Sequence, residues 1–498
     1  MNVKKVKRKN ADRKYYILDL SNRITSIENH KFNKTESFLQ VLVKDECLVG
    51  TIKSRGKNSK IDEMMNEMGF DWEPFSEHGH MRQSPYANVI MEALEKYAWQ
   101  VAEQFSNDNN LPIYRISGVE LFDPSHSEFK KQISLISKQP ELYGAYCYNV
   151  VINARKQILR YSACTQKLSL AKGINLNERD LPIGLFEISR SYRFEKDNEL
   201  KLCKRVRSFH LPETHILTNS ISSSFKISLL IHQKIIDEIE KWDSDYELLC
   251  SMSMDFFKEN LDFLGEIAKS VHKPILLKVY NEGFDCEDGI NFGVEYKVFD
   301  TSGYPLEIAT FQVDDGTASS AFNVTFKTSG GYEKPISTIH TVFPFSSIER
   351  SAYFFLDRAI RKETINSPIQ LPFWIAPIQA RVIAYDKGSL KAATLLTKEL
   401  NLLNFRVDLD DREISYSAKR KQKDLRWIPY IISIGKSKKN LQNLSVESKT
   451  RRQVKNIMSK GDLIKIMKAE TNRKIIVPRY FPMLISQRND RLTKRISK

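Results

Sequence analysis

GLFEISRSYRFEKDNELKLCKRVRSFHLPETHIL, residues 184–217, reads as two strands joined by a polar loop. The alternation in LFEIS and again in RVRSF predicts a hairpin with one buried face. The segment concentrates Arg193, Glu195, Arg205, Arg207, Phe209, Glu213 and His215. Arginines near both ends of such a loop can clamp a phosphate or a carboxylate bidentately, and an aromatic two residues beyond can stack on a purine. Taken alone, the same stretch reads equally as a charged antiparallel hairpin with a solvated face.

Working outward, 498 residues with 41% apolar and 28% charged side chains describe a globular chain long enough for two to four domains. No apolar run reaches the length needed to span a bilayer. The start, MNVKKVKRKNADRKYYILDL, is basic but lacks the apolar core of a signal peptide, so a cytoplasmic location and no membrane partner are expected. The net charge of +16 suits a polyanionic partner, nucleic acid rather than membrane. The six cysteines (47, 147, 164, 203, 250 and 286) form no CxxC pair, which argues for reduced thiols and against any metal site built from adjacent ligands.

Residues 1–70 read as a small basic leader, with KYYILDL and FLQVLVKDECLVGTI as strands and KIDEMMNEMGF as a short helix. From SEHGHMR the chain turns through Ser84-Pro85 into a half-buried helix. GVEYKVFD, LEIATFQVDD and SAFNVTFK follow as strands, and IERSAYFFLDRAIRKE (348–363) as a helix. The order predicts an antiparallel sheet flanked by helices. Neither GxGxxG nor GxxxxGK[ST] is present, so neither a Rossmann fingerprint nor a P-loop supports the phosphate chemistry. Beyond PFWIAPI, strands (QARVIAYD, RVDLDD, IPYIISIG) alternate with helices (SLKAATLLTKELNLLNF, EISYSAKRKQKDLRW), the pattern of a compact α/β domain.

The order of residue types in the hairpin resembles motif 2 of class II aminoacyl-tRNA synthetases, in the version used by archaeal-type threonyl-tRNA synthetases. The SEHGHMR segment and the C-terminal FWIAPIQARVIAY…DLRWIPYIISIG…KTRR carry the same resemblance, which spans about residues 76–470. It implies an N-terminal extension (1–70), an α+β catalytic domain (71–372), an α/β anticodon-binding domain (373–470) and a basic tail (471–498). The implied reaction joins threonine to ATP and passes the acyl group to tRNA(Thr), in a homodimer, with magnesium accompanying ATP. Arg193 matches the arginine bridging the α-phosphate and the substrate carboxylate. Glu195 matches the carboxylate facing the adenine amino group, and Arg205 the arginine aimed at the outer phosphates. Phe209 and Arg350, in FSSIER, match the groups covering the two faces of the adenine.

Cys164 in RYSACTQ, His215 in PETHIL and His340 in STIHTVF fall where such enzymes place one zinc ion per subunit. A thiolate, two imidazoles and an open fourth position make a catalytic layout, and in the family that position takes the amino group and hydroxyl of threonine. Singly, Cys164 reads as a small core hydrophobe and each histidine as half-buried strand filling. Glu213 stands for an aspartate that holds the threonine hydroxyl, and Gln312 is a further amino acid contact. Three departures bear on dimer packing and affinity: Val119 for a motif 1 proline, Ser346 for a motif 3 glycine, and Leu211 for a polar contact.

The metal cannot exclude serine, which lacks only a methyl group, worth ~1–3 kcal/mol. The short leader lacks an HxxxH cluster, so a separate trans-editing protein is expected to clear Ser-tRNA(Thr). Lys419, Arg420, Lys421, Arg451 and Arg452 are expected to face the anticodon stem-loop. Two other readings stay open. One is a catalytically inactive paralogue serving as a tRNA-binding or regulatory module; the other is a synthetase for proline, which would not need the three metal ligands.

Overall fold

The computed structural model describes residues 13–47, 59–127, 130, 146–242, 244–281, 290–361, 363, 369, 371–435, 443–449, 455–471, 475–489 and 492. The chain forms two compact units. One comprises residues 1–56, 98–199 and 207–350; the other comprises 57–97, 200–206 and 351–498.

The first unit is built on a ten-stranded sheet. Its strands are β1 (Arg13–Leu18), β2 (Ile24–Ser26), β5 (Ile113–Arg115), β10 (Ile183–Tyr192), β11 (Ser208–Thr218), β12 (Tyr246–Ser253), β13 (Ile275–Tyr280), β14 (Phe292–Phe299), β15 (Pro305–Asp314) and β18 (Ser337–Val342). Their order is β2-β1-β13-β12-β14-β15-β18-β11-β10-β5. Pairing is antiparallel except at β12/β13 and β5/β10. β13, ILLKVY, is buried along its whole length, as a strand covered on both faces must be. The helices Ile221–Lys241 and Leu261–Ser270 place apolar residues at three- and four-residue spacing against the core. β6 (Leu121–Phe122), β7 (Asn149–Ile152) and β8 (Arg155–Leu159) make a small separate sheet, as do β9 (Leu176–Asn177), β16 (Thr325–Lys327) and β17 (Glu333–Pro335).

The antiparallel architecture expected from the sequence is present, with local corrections. The leader strand is integral to the sheet, because β1 pairs with β13 from Arg13 to Leu18. FLQVLVKDEC is not a strand but part of the helix Ser37–Cys47. Its buried Leu39, Leu42, Val43 and Cys47 follow a helical period, and Asn33 and Glu36 form a capping box just before it. SAFNVTFK divides into the end of a short helix, Thr317–Ala321, and β16. The second hairpin strand begins at Ser208, because the preceding arginine is taken into loop contacts.

In the second unit β3 (Phe70–Trp72) and β4 (Met81–Gln83) form a hairpin. β19 (Ala380–Ala384), β20 (Val407–Asp410), β21 (Tyr430–Ile434), β22 (Leu444–Ser448) and β23 (Lys455–Met458) form a sheet ordered β20-β19-β21-β22-β23. β19 runs parallel to both neighbours, joined to β20 through the helix Leu390–Leu402. β22 and β23 add an antiparallel edge that strand–helix alternation did not foretell. Ala393, Leu396 and Leu400 of the helix pack on Val382, Val407 and Ile432 of the sheet.

Candidate active site and metal centre

β10 and β11 pair from Ile183↔Leu217 to Tyr192↔Ser208, so the hairpin read from the sequence is the sheet's longest continuous ladder. Along β11, Phe209, Leu211, Glu213 and His215 alternate onto one face. β18 sets His340 opposite His215, and β15 sets Gln312 opposite His340. Three adjacent strands thus bring two imidazoles and an amide into one row. Cys164 joins them from the first residue of the helix Cys164–Lys172.

The candidate ligand atoms of Cys164, His215 and His340 lie within 4.8 Å of one another. His215 Nε2 is 3.2 Å from Cys164 Sγ, and the two imidazole rings are 4.6 Å apart. Bond lengths of about 2.0 Å to nitrogen and 2.3 Å to sulfur give a zinc tetrahedron edges of about 3.3–3.6 Å. Small side-chain rotations therefore suffice to close the triad on an ion. Gln312 Oε1 sits 3.0 Å from His340 Nδ1, which makes Nδ1 the donor and leaves the lone pair on Nε2. That Nε2 is buried with no hydrogen-bond partner. A buried nitrogen lone pair beside a thiol and a second imidazole fits a borderline-soft divalent ion.

The electrostatics agree. Burial, with the nearby Lys167 ammonium, holds the His215 imidazole well below its ordinary range, in the neutral form a ligand requires. Glu213 is fully enclosed. Burial pushes its carboxyl up, but the Lys167 ammonium beside it outweighs that push and keeps it ionised. Lys167 Nζ is 3.1 Å from Glu213 Oε2, and Glu213 Oε1 lies 3.8 Å from His340 Nε2.

Arg193 leaves the end of β10 with its guanidinium between two rings, 4.5 Å from Tyr161 and 5.4 Å from Phe209. Both contacts hold the cation over ring faces. Glu195 is buried in the loop, and its carbonyl accepts from Arg207 Nε and Nη2 at 2.9 and 2.7 Å. Arg207 is itself buried, with its guanidinium over Phe194, so it braces the loop. Arg205 is exposed at the bridge it makes with Lys201. Arg350 donates through Nη1 to Ser346 Oγ at 3.1 Å and to the Glu307 carbonyl at 3.2 Å. The serine at the departed motif 3 position thereby steadies the arginine. Beside it, Glu349 accepts from His210 N at 3.0 Å and lies 2.8 Å from His210 Nδ1, which holds Glu349 against the start of β11.

Residues 375–470 match the anticodon binding domain family. A threonine–tRNA ligase of Thermofilum pendens is 32% identical over 461 residues, which are 92% of this chain and 73% of that protein. This chain belongs to the threonine–tRNA ligase family. A second member, from Caldivirga maquilingensis, is 34% identical over 482 residues, 97% of this chain and 75% of that one. Among solved structures, the RNA binding domain of a threonyl-tRNA synthetase from Cryptosporidium parvum superposes with a TM-score of 0.69 at 16% identity, over 83% of this chain and 98% of that one. A prolyl-tRNA synthetase of the same organism gives 0.61 at 14% identity, over 84% and 79%. These two likenesses speak for the fold alone.

Within this family member, one expected RNA contact requires correction. Lys419 is buried, and its Nζ donates to the carbonyls of Ala384 and Asp410 at 3.1 and 3.0 Å. It staples the ends of β19 and β20 and offers nothing to a phosphate. Arg420 pairs with Glu447 and Lys421 is exposed, while Arg451 and Arg452 lie outside the described residues. Four contributors escaped the sequence reading: Tyr161, Lys167, the brace made by Arg207, and the Glu349–His210 tie. Lys167 alone left a trace, three residues after Cys164 and so on the same helical face.

Proposed function

We propose that this chain activates threonine with ATP and transfers it to tRNA(Thr), with Cys164, His215 and His340 holding one zinc ion and magnesium accompanying the nucleotide. The observation that carries the reading is the triad on three separate elements, with a neutral His215, a partnerless His340 Nε2 and an ionised Glu213 alongside. When bound, zinc supplies an open coordination position for the amine and hydroxyl of threonine, which valine cannot fill. Glu213 accepts a hydrogen bond from the threonine hydroxyl. Arg193, steadied between Tyr161 and Phe209, neutralises charge at the α-phosphate and orients the substrate carboxylate. Arg350 is assigned to a face of the adenine, Glu195 to its amino group, and Arg205 to the outer phosphates. Nothing covalent is required of the protein, since alignment of carboxylate and phosphate supplies the rate.

The active form is proposed to be a homodimer. Tyr114, Val119, Leu121, Val151 and Ile152 leave large apolar side chains exposed on β5, the small β6–β8–β7 sheet and the segment between them, as a pairing face would. Arg420, Lys421, Arg451 and Arg452 are assigned to the anticodon stem-loop. Clearance of Ser-tRNA(Thr) is assigned to a trans-editing protein, because serine presents the same amine and hydroxyl. Among the described residues no helix is long and apolar enough to cross a membrane.

The test is threonine-dependent ATP–pyrophosphate exchange with and without a zinc chelator. Exchange that requires threonine and returns on adding zinc supports the reading. Metal-replete protein without exchange sinks it.

A further inference from the structure

We propose that Lys167 is a positioning residue for threonine recognition: it anchors one oxygen of Glu213 so that the other faces the metal cluster. The inference rests on the reading of Cys164, His215 and His340 as ligands. Lys167 is wholly buried on the helix that begins at Cys164, and the i, i+3 spacing brings both side chains to the same side. Its Nζ engages Glu213 Oε2 at 3.1 Å. Glu213 Oε1 is left 3.8 Å from His340 Nε2, at the edge of the space where the ligand atoms converge. The two carboxylate oxygens therefore have separate tasks.

A buried ion pair is a poor device for stability, since desolvating both charges offsets most of their attraction. Two apolar residues would fill the same volume. A buried ammonium beside a cluster expected to bind a cation also adds repulsion. Its presence there makes sense if one oxygen of Glu213 must be held so that the other is aimed at the cluster. A glutamate has one more rotatable bond than an aspartate, and without an anchor its free oxygen would not keep a single position. Lys167 removes that freedom.

The experiment compares wild type with Lys167→Met and Lys167→Gln in threonine-dependent ATP–pyrophosphate exchange. Bound zinc and the thermal unfolding midpoint are measured on the same samples. The expected result is a KM for threonine raised at least tenfold in Lys167→Met, with the KM for ATP and the zinc content unchanged. Lys167→Gln, which keeps a donor, should fall between. Glu213→Gln and the double variant Lys167→Met/Glu213→Gln should show the same KM, because the lysine acts only through the glutamate. An unchanged threonine KM in the folded single variants overturns the proposal, as does a double variant whose loss is the product of the two single losses. Failure of both Lys167 variants to fold would assign the lysine to structure and overturn it too. If the wild type itself shows no exchange, the ligase reading fails rather than this one.

Discussion

Replacing Gln312 by leucine should weaken zinc binding while leaving every direct ligand in place. Gln312 Oε1 accepts from His340 Nδ1 at 3.0 Å, and this bond keeps the ligating lone pair on Nε2. Leucine fills similar volume but accepts nothing. The imidazole must then either carry a half-buried N–H without its acceptor, costing about 1–3 kcal/mol, or move its proton to the atom that should bind metal. Loss of an outer hydrogen bond of this kind typically reduces metal affinity about 10- to 100-fold, or about 1.4–2.7 kcal/mol, which agrees with that range. The assay is competition against a chromophoric chelator at fixed pH. Gln312→Glu should move the other way, since a carboxylate on Nδ1–H makes the ring a better donor. Zinc affinity within twofold of wild type in the leucine variant, or weaker binding in the glutamate variant, would refute the assignment of Gln312 as the group that sets His340.

Arg193→Ala should lower kcat for exchange about a hundred- to thousandfold, the usual cost of removing one preorganised electrostatic contact, with the unfolding midpoint nearly unchanged. Arg381 is buried against Asp408 at 2.8 Å and Asp424 at 2.9 Å, while Arg488 also holds Asp408 at 2.8 Å, so Arg381→Met should cost roughly 3 kcal/mol, the low end for breaking a buried pair, read as a lower urea midpoint at constant slope. His232 lies 2.6 Å from Tyr296 Oη and 2.7 Å from Ser270 Oγ, and burial pushes its imidazole down to about 4. The unfolded chain protonates this group near 6.5 and the native one does not, so stability falls as the pH drops from 6.5 to 4. The loss should be about 3 kcal/mol larger in wild type than in His232→Gln, measured by chemical denaturation across that window.

Much of the fold follows from periodicity. The alternation of LFEIS, the helical spacing after Pro85 and the strand–helix succession beyond residue 375 each reappear as β10, the helix Pro85–Asp108 and the β19–β21 unit. Where the reading failed, local pattern was ambiguous. FLQVLVKDEC carries apolar residues dense enough to suit either period, and only packing of Leu39, Leu42 and Val43 against Tyr15, Leu249 and Leu276 settles it as a helix. Lys419 sits in a basic run that looks solvated, yet its backbone position turns it inward onto two carbonyls.

The sequence by itself determined the chemical kinds available: a thiol, two imidazoles, a carboxylate and arginines in the order their chemistry demands. Pattern and spacing could not place them together, and only the family resemblance joined them, because Cys164 and His215 stand 51 residues apart and His340 is farther still. Their meeting depends on the register of β11 against β18, where a slip of one residue would send His340 to the opposite face of the sheet. That register is fixed by the burial of β15, of β18 and of β11 from Pro212 onward. The same packing made Lys167 the partner of Glu213, a pairing no local pattern contains.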